Sequence, residues 1–184
     1  MILLPFRRPA QDPIIASLYG TIVAQARSPF FYFGYGVPDT VAGRFDMIVL
    51  HLVLFLQRLK PESPAVRSLG QQVFDHFCRD MDHNFREMGV GDLAVPQQMR
   101  RVGDAFYGRA TAYEVALAAD DAELVGALVR NIYGRPSLGA RRLAGYMREA
   151  TRQLAAQEDF ARAKLRFPNP EAIAPPPLDK NQQP

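Results

Sequence analysis

Four side chains with metal-binding chemistry, His76, Asp80, His83 and Glu87, follow one another at spacings of four, three and four residues. On a helix they project within about 60° of one another, as a single polar ridge. Imidazole and carboxylate groups at such spacing suit a transition metal. Four ligands strung along one straight helix cannot all reach one ion, however, and His51 is the only other histidine. The ridge reads better as a solvated face beside the apolar Val73, Phe77, Met81 and Met88, and no metal or cofactor is assigned to it. His51 sits inside an apolar run, the setting of a hydrogen-bonded core histidine. Cys78 has no neighbouring base to lower its pKa, so it reads as a structural thiol. As the single cysteine, it also excludes an intrachain disulfide. Gly34-Tyr35-Gly36 lacks the preceding strand and the further glycines of a phosphate loop, which leaves turn chemistry. Nothing separates Asp80, Asp82 and Glu87 into acid and base roles. No catalytic residue is assigned.

The elements that position these groups read as helices throughout. The first runs from about Ile14 to Arg27 and stops at Ser28-Pro29. Asp39 or Thr40 is placed to cap the next, which reaches Leu59. Lys60 to Pro64 is a connector. A third helix spans about Ala65 to Met88, with Gly89 as its left-handed terminator. A fourth, about Pro96 to Ala118, carries the apolar stripe Met99, Val102, Phe106, Ala110, Tyr113 and Leu117. A shorter one covers about Asp121 to Tyr133. The last, about Gly139 to Arg166, turns Leu143, Met147, Ala150, Leu154, Ala161 and Leu165 inward. No period-two run supports a sheet. The expectation is an all-α, single-domain bundle of about six helices. Residues 1–13 form an extension, 14–166 the helical domain, and 167–184 a proline-rich tail that is extended or disordered.

The 184 residues suit one domain with a full core. A 48% apolar and 22% charged composition is ordinary for a globular protein. A formal charge of +3 does not by itself argue for nucleic acid. The longest apolar stretch, Met47 to Leu56, spans ten residues, half of the roughly 20 that a membrane-spanning helix needs. Met1-Ile2-Leu3-Leu4-Pro5-Phe6-Arg7-Arg8 fits neither a signal peptide nor a mitochondrial transit peptide. The expected location is cytoplasmic, with peripheral contact at the inner membrane as the further option.

Two surfaces carry more information. Residues 135–166 hold seven Arg, one Lys and three acids, a net +5 that leaves −2 for the remainder. Arg141, Arg148, Arg152, Arg162 and Arg166 lie opposite the apolar stripe of the last helix. They form either a solvated face or a surface for anionic lipid or ribosomal RNA. Phe30-Phe31-Tyr32-Phe33 and Tyr35 make a dense aromatic cluster, which either plugs one end of the bundle or is exposed as a contact surface.

Three blocks then become specific. The first is Tyr35-Gly36-Val37-Pro38-Asp39-Thr40, with Gly43-Arg44-Phe45-Asp46 and Leu50-His51. The second is Asp80-Met81-Asp82, with Arg86-Glu87-Met88-Gly89-Val90-Gly91-Asp92-Leu93. The third is Phe106-Tyr107-Gly108-Arg109, with Ala112-Tyr113. In this order they resemble the signatures of the ubiquinol–cytochrome c chaperone family, and Arg166-Phe167-Pro168 extends the match. The resemblance implies a helical chaperone without catalytic residues or cofactor. It would hold newly made cytochrome b during assembly of respiratory complex III. Mitochondrial members work near the ribosomal exit tunnel, usually with a small partner protein. Without a presequence or long N-terminal extension, this chain is expected to be a bacterial version, to which ribosome docking and the small partner are not carried over. The expected client surface comprises Phe31, Phe33, Tyr35, Asp39, Arg44, Asp46, Asp92, Tyr107 and Arg109. A basic RNA- or ribosome-binding module is the alternative.

Overall fold

The computed structural model describes residues 13–173, and all regular structure among them is helical. The chain forms α1 (Pro13–Ala26), α2 (Pro29–Phe33), α3 (Val41–Leu59), α4 (Pro64–Glu87), α5 (Val95–Ala118), α6 (Asp121–Leu128), α7 (Leu138–Ala155) and α8 (Pro170–Ile173). A π-helical turn, Val129–Tyr133, continues α6, and a 3-10 turn, Phe160–Arg162, follows α7. Six longer helices stand where the sequence places them, the last ending earlier than expected; α2 and α8 are additions. The 1–13 extension lies outside the described residues, except for Pro13, which opens α1.

α3 is the axis of the bundle. Its run from Met47 to Phe55 is buried on every face, His51 included, as an all-round apolar helix must be. Helices α1, α4, α5 and α7 pack around it, and α6 joins α5 to α7. Each large apolar side chain fully buried here stabilises the fold by roughly 1.5–3 kcal/mol. The caps follow local chemistry. Thr40, not Asp39, accepts the Gly43 N–H at 3.0 Å to start α3. Asp120 accepts from Glu123 N–H at 3.0 Å to start α6. Gly89 takes a φ of +80° beyond α4.

Two boundaries differ from the sequence reading. The last long helix ends at Ala155, not Arg166. Arg58 of α3 donates to the Leu154 and Gln157 carbonyls at 2.9 and 2.7 Å, closing the C-terminus of α7. Phe160 then turns into the core beneath the Arg58 guanidinium, 5.3 Å from its ring centre. The second difference is in the tail. Residues 167–173 fold back onto the bundle, with Phe167 5.0 Å from the His51 ring and Pro168 and Pro170 buried. Gln25 donates to the Pro168 carbonyl at 2.9 Å and the Tyr35 hydroxyl to the Pro170 carbonyl at 2.8 Å. Proline carbonyls still accept hydrogen bonds, so this strap is held by its backbone. Residues 174–184 of the expected tail lie outside the described residues.

Candidate partner-binding surface

The aromatic segment is split by depth. Phe31 and Tyr35 have 0% and 1% of their surface exposed, whereas Phe33 keeps 65%. The expectation that Phe31 and Tyr35 face a partner is therefore corrected: they pack against Tyr146 and His51 inside the bundle. The turn that follows is clamped. Arg142 donates to the Gly34 carbonyl and Tyr133 to the Tyr35 carbonyl, both at 2.9 Å. α7 comes so close that a Cβ on Gly139 would stand 1.9 Å from the Tyr35 carbonyl oxygen. A Cβ on Gly43 would likewise stand 2.0 Å from the Pro38 carbonyl oxygen. Only glycine permits both approaches.

Asp46 and Arg109 link the first and third blocks across α3 and α5, Oδ1 to Nη2 at 2.7 Å. Asp46 is buried and Arg109 largely so, which corrects their expected place at the surface. Burial raises the Asp46 pKa against the lowering pull of Arg109. The Arg109 guanidinium also lies 5.9 Å from the Phe45 ring centre. The pair is a brace between helices.

Three exposed features remain. Asp39 and Arg44 pair at 2.7 Å on the rim of a cleft of about 410 Å³, which Arg27, Pro29, Tyr32 and Phe33 complete. Tyr107, 63% exposed, stands at the lip of an apolar groove of about 250 Å³ formed with Leu56, Leu59, Phe74 and Phe106. Asp92 is paired with Arg86, which also binds Asp82 at 2.7 Å. This bridge braces the turn on which Leu93 is completely exposed.

The expected basic face is broken up. Arg141 and Arg152 are exposed on α7, and Arg152 is bound to Glu149 at 2.5 Å. Arg148 instead donates to the Leu117 and Ala119 carbonyls at 3.1 and 2.9 Å and pairs with Asp121, so it terminates α5. Arg162 and Arg166 lie beyond the end of α7. The ridge on α4 is similarly engaged: Asp80 accepts from the Tyr19 hydroxyl at 2.8 Å, and His83 pairs with Glu87 at 3.1 Å. No group of three or more metal-binding side chains assembles among the described residues. Burial raises the Cys78 pKa. No described helix is long and apolar enough to cross a membrane.

Sequence reasoning missed Arg27 on the cleft, Gln25 and Tyr146 beneath the strap, and Arg142 on the turn. None belongs to a local pattern; each acts through contacts distant in sequence.

Together these features define an all-helical domain that presents a few apolar and charged side chains from a packed helical frame. The chain belongs to the ubiquinol-cytochrome C chaperone family, whose model matches residues 34–167. It is similar to ubiquinol-cytochrome-c reductase complex assembly factor 1 of Xenopus laevis, 26% identical over 107 residues, covering 58% of this chain and 54% of that one. The Homo sapiens factor of the same name is 25% identical over 126 residues, covering 68% and 42%. The chain thus spans about half or less of the length of these curated relatives. The crystal structure of the Cbp3 homolog from Brucella abortus superposes with a TM-score of 0.80 at 39% identity, covering 94% of this chain and 99% of that one.

Proposed function

We propose that this chain is a non-enzymatic assembly chaperone that binds newly made cytochrome b and supports biogenesis of respiratory complex III. The observation that carries this reading is where the exposed apolar side chains lie. Of the large apolar side chains left exposed, Phe33, Val41, Met88, Leu93, Tyr107 and Val115 fall within or next to the three signature blocks, and Leu138, at the start of α7, lies outside them. Large apolar groups left in water at such positions are the expected contacts for an apolar client. Of the expected contact residues, Phe33, Asp39, Arg44, Asp92 and Tyr107 are kept. Phe31, Tyr35, Asp46 and Arg109 support them from inside. The RNA-binding alternative gains nothing from the relatives and loses the continuous basic helix on which it rested. Its remaining consequence, peripheral contact at the membrane or ribosome, would rest on Arg141, Arg162 and Arg166.

The test is co-purification of pulse-labelled cytochrome b with the tagged full chain. Wild type should retain the client, and the Phe33→Ser/Tyr107→Ser variant should lose most of it while melting at the same temperature. Retention of the client by that variant would refute the assignment of the surface.

A further inference from the structure

The cleft between the end of α1 and the start of α3 has a composition of its own. Two arginines, Arg27 and Arg44, face it against one carboxylate, Asp39. Arg44 binds Asp39 through Nε only, at 2.7 Å, so its two terminal nitrogens have no hydrogen-bond partner among the described residues. The Arg27 side chain has neither hydrogen bond nor ion pair among them. Both guanidinium groups lie near enough to the Tyr32 phenol to oppose the burial that raises its pKa. The Tyr32 hydroxyl itself is committed to the Ala26 carbonyl at 2.9 Å. Phe33 forms the apolar wall, supported edge-on by Phe30 at 4.9 Å between ring centres.

Unpaired guanidinium donors beside an exposed ring match a carboxylate adjoining an apolar side chain. We propose that this cleft binds the client through a short segment in which an acidic residue neighbours apolar ones, the carboxylate bridging Arg27 and Arg44 and the apolar group covering Phe33. The inference rests on the chaperone reading and specifies the class of segment recognised. A cleft of about 410 Å³ holds a few side chains, and its charge imbalance selects an anionic one. A client segment supplies the apolar and acidic groups together.

The test uses the full-length protein and a short fluorescein-labelled peptide with one Asp between Leu and Phe residues, alongside the same peptide with Asn. Wild type should bind the Asp peptide roughly ten-fold more tightly, the effect of one or two charge-assisted hydrogen bonds. Arg27→Gln should remove most of that preference, and Phe33→Ser should weaken both peptides alike. Equal affinity for the two peptides, or a preference that survives Arg27→Gln, would overturn the proposal. So would Arg27-dependent binding to phosphatidylglycerol vesicles by a protein that shows no peptide preference. A wild-type chain that retains cytochrome b but does not distinguish the peptides fails this inference alone. A chain that retains no cytochrome b fails the broader reading.

Discussion

His51 Nε2 lies 2.9 Å from the Tyr146 hydroxyl, in a fully buried position on the central helix. His51 Nδ1 is 2.8 Å from the Met47 carbonyl, which can only accept, so Nδ1 carries the proton and Nε2 accepts from Tyr146. Gln25 in turn donates to the Tyr146 oxygen at 2.9 Å. The chain Gln25–Tyr146–His51–Met47 is therefore satisfied with a neutral imidazole. Burial lowers the His51 pKa from 6.5 to about 4.

The unfolded chain thus takes up a proton at His51 before the folded one does. Stability should fall as the pH drops from 6.5 to about 4, by roughly 3 kcal/mol from this group. Urea titrations across that range check it. His51→Gln should flatten the slope; an unchanged slope in the variant would mean that other groups set it.

Tyr146→Phe removes the hydroxyl shared by Gln25 and His51 and should destabilise the fold by about 1–3 kcal/mol. Chemical denaturation measures the loss, and a midpoint equal to wild type would show that the network contributes nothing.

Gly139→Ala places a methyl group 1.9 Å from the Tyr35 carbonyl oxygen, so α7 or the turn must move. The expected loss is at least about 2 kcal/mol. Gly145 is exposed on the same helix with open space around it, and its replacement by Ala should be neutral or stabilising by up to about 1 kcal/mol. Equal melting temperatures for the two variants would contradict the close approach.

Arg148 binds two carbonyls at the end of α5 with a planar fork. Arg148→Ala should lower stability by about 1–2 kcal/mol, and Arg148→Lys should restore little of it, since a single ammonium cannot span the same geometry. Full rescue by lysine would reduce the interaction to charge alone.

The long helices were legible because apolar spacing, the Asp39-Thr40 cap position and Gly89 encode them locally. The short α2 was not, since Phe30, Phe31, Tyr32 and Phe33 show no helical alternation. The end of α7 was hidden for the opposite reason. Apolar spacing persists through Leu165, which is indeed buried, but capping by Arg58 from α3 ends the helix first. Depth was the least legible property of the surface. Asp46 and Tyr35 belong to the same block as exposed Asp39 and Arg44, and only the packing of α5 and α7 separates them. The first and third blocks, distant in sequence, nevertheless meet in space, because Asp46 and Arg109 form a pair.

Whether the chain supports complex III is decided by deleting the gene and quantifying cytochrome b and assembled complex III, with wild-type and Phe33→Ser/Tyr107→Ser copies restored in parallel. Both quantities should fall together in the deletion, return with wild type and stay low with the variant. Normal cytochrome b and complex III in the deletion strain would contradict it.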